Sequence, residues 1–495
     1  MAAPTRRSLL RASGSLLAGA ALAGCIGGET GDADPTRAAT EPSESVETTT
    51  AVDRLRTSTR TETFHSRTTD EPRETTSETV DDEPPETTPA TVDDDSEWTP
   101  QWSMPLDDWQ VLGLDTADNR LFATLSENNG PSAVAAIDPA EQSIIWQMKS
   151  EGEPVGGSHA SYQRIARGQW GVTLANETVY AVTGRVGERR WGAVQALDQA
   201  TGERRWSLRR NREFALAGVT ADLVVATGLE FSERRTVSHT TTGSPLSTVV
   251  YGLDSANGKV RWTREFIGVQ DVAVNSNGVY VAVADRLVGL ELDGKRRFAY
   301  EYGPATRVEA ATERVFYLTG KDAASTLHGV GPNGSVDWQH DLPIHELLLD
   351  GNRLYAGGKA VVTVETDGTI VWRDDTYGEW LLLDPDGDTL YTRSRIRSDA
   401  ATAYDVAGKK RWTFDPPSNN AWPEAATNDA LIVSAITGDT ANQPFLTVYA
   451  INSQGQPTAS LGKETVFDAT GLSDTAYLAD GNSATGDSNL LALDP

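Results

Sequence analysis

The sequence has a single cysteine in 495 residues, Cys25, which excludes any disulfide within the chain and any zinc site or iron–sulfur cluster built from several thiolates. Lysine is scarce too: eight of the 43 basic residues are Lys and the rest Arg, against 71 acidic residues, for a formal net charge of −28. A balance so acidic excludes a general nucleic-acid binder. A carboxylate-rich, lysine-poor surface keeps a protein hydrated in concentrated salt, so the charge reports a halophilic habitat more than a partner. No apolar run of about 18 residues follows the N-terminus, which leaves no helical membrane span there. Helical periodicity is missing from the same region, and so are the Gly-x-Ser-x-Gly elbow and the P-loop. The six histidines, His65, His159, His239, His328, His340 and His345, show no metal-ligand pairing, and Pro343 puts a strand break between the last two. Asp384-Pro385-Asp386-Gly387-Asp388 resembles a calcium loop only superficially: Gly387 is misplaced and Arg395 stands where the bidentate acid belongs, so it reads as a turn.

What is present begins with an address. Residues 1–25 run from Arg6-Arg7 through a short apolar stretch to Leu22-Ala23-Gly24-Cys25, the order of a secretory signal. The arginine pair resembles a twin-arginine export signal and the last four residues a lipobox, in which Cys25 carries the lipid. A diacylglyceryl group supplies the two chains that stable anchoring needs. The expected location is therefore the extracellular side of the cytoplasmic membrane. Residues 26–97 are rich in Thr, Glu, Asp, Pro and Ser, with Phe64 the only aromatic, and are expected to be a disordered tether. A coil of about 70 residues spans roughly 45–50 Å, more when its acids repel. Its threonines are candidates for glycosylation.

From Trp98 to residue 495 one unit recurs every 34 to 60 residues. A strand-like run ends in Asp, a tight turn follows, and the returning run carries a Trp, as in Asp198, Gly202, Trp206 and Asp254, Gly258, Trp262. The spacing returns at Gly294/Phe298, Gly334/Trp338, Gly368/Trp372 and Gly408/Trp412, and Gln142 replaces the glycine ahead of Trp146. Glycine takes the positive φ that the hairpin turn needs, and the aromatic sits a fixed distance along the returning strand. Two further short strands precede each such hairpin, as at residues 269–273 and 279–284, giving four strands per unit and an all-β propeller. Eight units end near Thr458. A ninth is assembled from Leu490–Asp494 with Gln101-Trp102-Ser103-Met104 as its outer strand, closing the ring.

The Asp-x-x-x-Gly-x-x-x-Trp pattern resembles the tryptophan-docking repeat of the pyrroloquinoline-quinone-like propellers, over about 390 residues. The superfamily includes quinoprotein dehydrogenases and lipoproteins that scaffold outer-membrane-protein assembly. The resemblance implies eight blades by precedent, against nine by count. It also implies that Trp146, Trp206, Trp262, Trp338, Trp372 and Trp412 are packing elements that dock on the neighbouring blade. Its dehydrogenases commonly hold the quinone between a Trp and a disulfide of adjacent cysteines above Ca2+ and a catalytic Asp. Cys25 alone cannot make that disulfide.

In a propeller the first-to-second and third-to-fourth strand turns share one face, and here those turns are short. The long segments belong to the other face: residues 149–170, 185–192, 229–248, 393–400, 414–423 and 437–445. They carry Arg164, Arg167, Arg185, Arg189, Arg190, Arg234, Arg235, Arg393, Arg395 and Arg397, interleaved with Trp170, Trp191 and Trp422. Guanidinium forks recognise carboxylates, and aromatics supply desolvated anchors. The expected function is a membrane-anchored, non-enzymatic binding or assembly scaffold for cell-surface proteins or glycans, with no cofactor. The alternative is a pyrroloquinoline-quinone dehydrogenase with Ca2+, and a third reading is a structural wall protein. Arginines paired with neighbouring acids on a salt-adapted surface are the plain alternative to a binding face.

Overall fold

The computed structural model describes residues 98–495 apart from 107–108, 128–131, 150–171, 186–190, 231–246, 302, 321–324, 395–399, 418–420, 441–442, 464 and 482–487. Residues 1–97, with Arg6, Arg7, Cys25 and the Thr/Pro-rich segment, lie outside the described residues. Among the described residues there is no helix, and the strands form nine four-stranded sheets. Each sheet is a blade, and the nine stand in a ring. The count of repeats, not the eight-bladed precedent, gives the number. In chain order the first eight occupy residues 109–149, 172–210, 212–267, 269–300, 305–342, 344–374, 379–414 and 421–463.

Burial along the strands follows from this arrangement. The second strand of a blade is covered on both faces by the adjacent blades, and Gly278–Val283 and Val315–Thr319 are accordingly buried throughout. The outer strand faces a neighbour on one side only, and in Arg204–Arg210 Trp206 and Leu208 are the buried residues. The seams are the core: Tyr180, Val194 and Trp206 of one blade pack with Phe214, Val224 and Tyr251 of the next.

Each repeat tryptophan staples one such seam. The indole N–H of Trp146 donates to Gln199 O at 3.1 Å, that of Trp206 to Ser255 O at 2.8 Å, and that of Trp262 to Leu292 O at 2.8 Å. Trp338 and Trp372 likewise donate to Thr366 O and Val406 O, at 3.1 and 3.2 Å. Every acceptor lies in the turn before the outer strand of the following blade, and the ring rests on that turn's glycine. At Gly408 the need is double: φ is 86°, and a Cβ would lie 2.2 Å from Cγ of Trp372. Gln142, which stands in the glycine's place in the first blade, takes φ 51°.

The ninth blade joins the chain ends. Trp102–Leu106 pairs antiparallel with Ser488–Leu493 and forms the outer strand of a sheet that continues inward through Thr475–Gly481 to Val466–Leu472. Trp102 lies opposite Ala492, the register in which Trp146 faces Ala136, so it is the ninth blade's own docking tryptophan. The eighth blade lacks one, because Ala459 occupies the position opposite Ala450 that Trp412 holds opposite Ala403. Trp98 fills the gap from outside. Its backbone N–H donates to Ser460 O at 2.7 Å, its indole N–H to Asp494 O at 2.9 Å, and its ring is buried in the cluster that includes Ala459 and Leu461. The nine residues from Trp98 to Leu106 thus staple two successive seams.

The innermost strand of eight blades carries an irregularity in its pairing with the second strand, at residues 111/113, 216/218, 269/271, 305/307, 344/346, 379/382, 423/425 and 466/468. Such a bulge re-aims the side chains around it. Three carboxylates beside bulges reach the next blade's inner strand: Asp271 accepts from Val308 N at 3.0 Å, Glu346 from Trp380 N at 2.6 Å, and Asp468 from Leu114 N at 2.7 Å.

Candidate functional site

Short connections define one face of the ring. First-to-second turns such as 117–120 and 275–278, and third-to-fourth turns such as 198–204 and 254–260, span few residues, whereas 150–171 and 231–246 separate strands that end on the opposite face. The long-loop face of the sequence reading therefore exists as one face of the strand ends. Of the residues placed on it, Arg164, Arg167, Trp170, Arg189, Arg190, Arg234, Arg235, Arg395 and Arg397 lie outside the described residues. Arg185 ends the second strand of the second blade, opposite Trp191 in register. Trp191 is buried, with the Arg209 guanidinium 4.1 Å above its ring. Arg393 and Trp422, both named from sequence, are brought together: the guanidinium sits 4.7 Å from the Trp422 ring centroid and 5.8 Å from that of Trp380.

Around that pair lies a cluster of ionisable and aromatic side chains. It is built from the starts of three inner strands, Ile344–Asp350, Glu379–Leu383 and Ala421–Ala426, and the end of the second strand Thr389–Arg393. Gly358 and Gly378 bridge the sixth and seventh blades by a reciprocal pair of backbone hydrogen bonds of 2.7 and 2.8 Å. A Cβ on Gly378 would lie 2.4 Å from Val361 Cγ2, so only glycine lets the link approach this closely. The bridge holds Tyr377 and Glu379 against His345. The Tyr377 hydroxyl donates to Glu379 Oε2 at 2.9 Å, and His345 Nε2 lies 3.3 Å from the same oxygen.

Glu379, Glu346 and Arg393 are buried, while His345, Tyr377, Trp380 and Trp422 are half-buried and form the rim. Glu379 and Arg393 face each other across the strand pair. Burial pushes the Glu346 carboxyl up, and the charge of Glu379 adds to this, while His345, the Trp380 N–H and Arg307 oppose it. Asp271, two blades back, is also raised by burial, against the Val308 N–H and Arg307. Trp380 has φ 59°, a conformation that a bulky side chain avoids and that persists only where its surroundings impose it.

Sequence reasoning passed over Glu346, Tyr377, Glu379 and Trp380, and considered His345 only as a metal ligand. The available signal was position: each stands at or just before a bulged inner-strand start. The acids of the short-turn face behave differently. Asp198 accepts from the backbone of Ala200 and Thr201 and pairs with Arg205 at 2.7 Å. Asp384 likewise closes its own turn, accepting from Asp388 N, with Gly387 at φ 77°.

The calcium-bound quinone implied by the resemblance finds a poor donor set. Among the described residues no three His, Cys, Asp or Glu side chains are grouped to hold an ion. The inner-strand carboxylates Asp271, Glu346 and Asp468 are already engaged by backbone N–H groups of the next blade.

Residues 98–279 match the family described as outer membrane protein assembly factor BamB. No curated protein matches the chain. Similar solved structures include BamB from Moraxella catarrhalis, at 16% identity over 80% of this chain and 99% of that one, with a TM-score of 0.42. A europium-containing methanol dehydrogenase is similar at 10% identity over 80% of this chain and 93% of that one, with a TM-score of 0.42. Sqt1 of Saccharomyces cerevisiae is similar at 11% identity over 81% of this chain and 100% of that one, with a TM-score of 0.46. Residues 98–279 are thus similar to that family, and the described strands as a whole form a β-propeller of nine four-stranded blades.

Proposed function

We propose that the protein is a non-enzymatic binding or assembly scaffold, exported by the Arg6-Arg7 signal and anchored through a lipid on Cys25 outside the cell, with its long-loop face turned to protein or glycan partners. One observation carries the reading. The described acids of the short-turn hairpins are closed by their own turns and nearby arginines, whereas half-buried aromatics over buried ionisable groups gather on the opposite face. The family matched over residues 98–279 is described as an assembly factor, in keeping with such a role.

The test is capture of surface partners by the tethered full chain in a salt-rich medium. Reversing Arg185, Arg189, Arg190, Arg234, Arg235, Arg395 and Arg397 to Glu is expected to abolish capture. Unchanged capture would remove that arginine set from the interface. Titration with pyrroloquinoline quinone and Ca2+, read by absorbance and dye reduction, separates the alternative: saturable binding with turnover replaces the scaffold by a dehydrogenase.

A further inference from the structure

The sequence holds two Asn-x-Ser/Thr triplets, Asn176-Glu177-Thr178 and Asn333-Gly334-Ser335, the acceptor motif of N-linked glycosylation. Both lie on the short-turn face, one between the inner and second strands of the second blade, the other just ahead of the outer strand of the fifth. A glycan transferase must take hold of the asparagine together with the hydroxyl residue two positions on, so both have to be reachable. Asn176 is exposed, but Thr178 is buried. It opens the second strand, stands opposite Ala175 and Asp198 in the two ladders, and its hydroxyl accepts from Arg205 Nη1 at 2.6 Å. Asn333 and Ser335 are both exposed and precede the strand Val336–Leu342. Asn333 Oδ1 accepts from Ser335 N at 3.0 Å and lies 2.6 Å from Ser335 Oγ, which is also 3.0 Å from Asp337 Oδ1. Asn333 Nδ2, the atom that would carry a sugar, makes no hydrogen bond among the described residues.

The turn that carries Asn333 is also tied down less firmly than its counterparts. Three other hairpin turns share its spacing, and each is pinned by an indole N–H of the preceding blade, from Trp262 to Leu292 O, Trp338 to Thr366 O and Trp372 to Val406 O. The residue that rests on Gly334 is Phe298, which has no N–H to give, and Pro332 O accepts instead from Arg297 Nη1 at 3.2 Å in an exposed contact. Gly331 stands where those turns have Glu291, Glu365 and Asp405, so the acid that pairs with a nearby arginine or closes the turn is missing too. We infer that Asn333 is an N-glycosylation site of the folded protein and that Asn176 is not. In the transfer, Asn333 Nδ2 displaces phosphate from the anomeric carbon of a lipid-linked glycan. The C–N bond forms, the C–O bond to phosphate breaks, the lipid phosphate leaves with the bonding pair, and the amide proton passes to a base on the transferase. The product is a bulky polar group on the short-turn face, opposite the long loops. The inference goes beyond the scaffold reading and rests on it only for the chain's export.

Two samples of the full chain test this by intact mass and peptide mapping. One is isolated from the cells that naturally make it; the other is purified unmodified, folded, and incubated with membranes from those cells that hold the transferase and its lipid-linked glycan. The peptide containing Asn333 is expected to gain the mass of a glycan in both, and the peptide containing Asn176 in neither. Asn333→Gln and Ser335→Ala should abolish the added mass, while Ser335→Thr, which keeps the hydroxyl, should retain it and shows that loss in Ser335→Ala is not a folding defect. A synthetic peptide of residues 172–182 is expected to accept a glycan at Asn176, because it has no strand to bury Thr178. Bare Asn333 in both samples, a glycan on Asn176 of the folded chain, or added mass that survives Asn333→Gln overturns the inference. A peptide 172–182 that stays bare overturns the account of Asn176. Cell fractionation scores export separately: a chain outside the cell with Asn333 bare in both samples sinks the glycosylation site and leaves the export, while transfer to Asn333 in the membrane reaction with the chain retained inside the cell does the opposite.

Discussion

The two faces of the ring use the same residue types to different ends. On the short-turn face, Asp254 accepts from Ala256 N and Asn257 N and pairs with Arg261 at 2.6 Å, all within seven positions of sequence. Asp198 repeats the pattern, and hydrogen bonding from Arg205, helped by the Thr201 backbone N–H, holds its carboxyl down to about 2. On the long-loop face the contacts are distant in sequence. Glu346 and Trp380 are 34 positions apart, as are His345 and Glu379. A turn that satisfies its own polar groups closes a hairpin and presents little unfilled hydrogen-bonding capacity. A cluster assembled from separate blades depends on the ring for its geometry and is where a ligand can be recognised.

That contrast makes stability and binding separable. The largest stability effect is expected for Trp98→Ala, which empties the seam between the eighth and ninth blades at a cost of about 3–5 kcal/mol in urea unfolding. Adding Ala459→Trp to that variant is expected to restore much of the loss by returning the indole to its own strand. No recovery would mean that Trp98 does not substitute for the missing residue. Next comes Gly408→Ala, where positive φ and the Trp372 ring together predict a loss of about 1–3 kcal/mol with partner capture intact.

Acid should expose a smaller effect inside the fifth blade. Burial lowers the pKa of His328 to about 4, opposed by Asp341, while the ring stacks on Tyr317 at 4.4 Å. The unfolded chain therefore binds a proton that the folded one refuses, so His328 costs nothing above about pH 6.5 and subtracts stability as pH falls from there to about 4. Replacing His328 with Gln should flatten that part of the stability–pH curve. A curve unchanged in slope would show that other groups set it. The smallest expected effect on stability is that of Trp422→Ala, half-buried at the rim, whose loss should register in binding and scarcely in the melting temperature. A large drop in melting temperature would make Trp422 a seam residue and blur the distinction between the faces.

Much of the architecture was legible in the repeated pairing of glycine and aromatic. Gly202, Gly258, Gly294, Gly334, Gly368 and Gly408 all take positive φ in the turns assigned to them, and Trp102 closes the ring against Ala492. The number of blades stayed open between nine by count and eight by precedent, and the nine four-stranded sheets of the described residues decide it. Trp98 was visible only as the first residue of the folded composition, because Ala459 in a degenerate repeat does not announce which distant residue replaces it. The site was less legible still. Arg393 and Trp422 stood out as arginine and tryptophan in long connections, but Glu346 and Glu379 sit in short apolar strands where nothing local marks them as neighbours.

By itself, then, the sequence determined the strands, the turn chemistry and the closed ring, because each rests on spacings of a few residues that recur along the chain and reinforce one another. Only the tertiary structure decided that Trp98 donates to Asp494 O, 396 positions away, and that Arg393 lies between indoles of two blades above a Glu–His–Tyr cluster. Those contacts come from the angle at which blades pack and from one-residue bulges in their inner strands, and neither quantity is written in a local pattern.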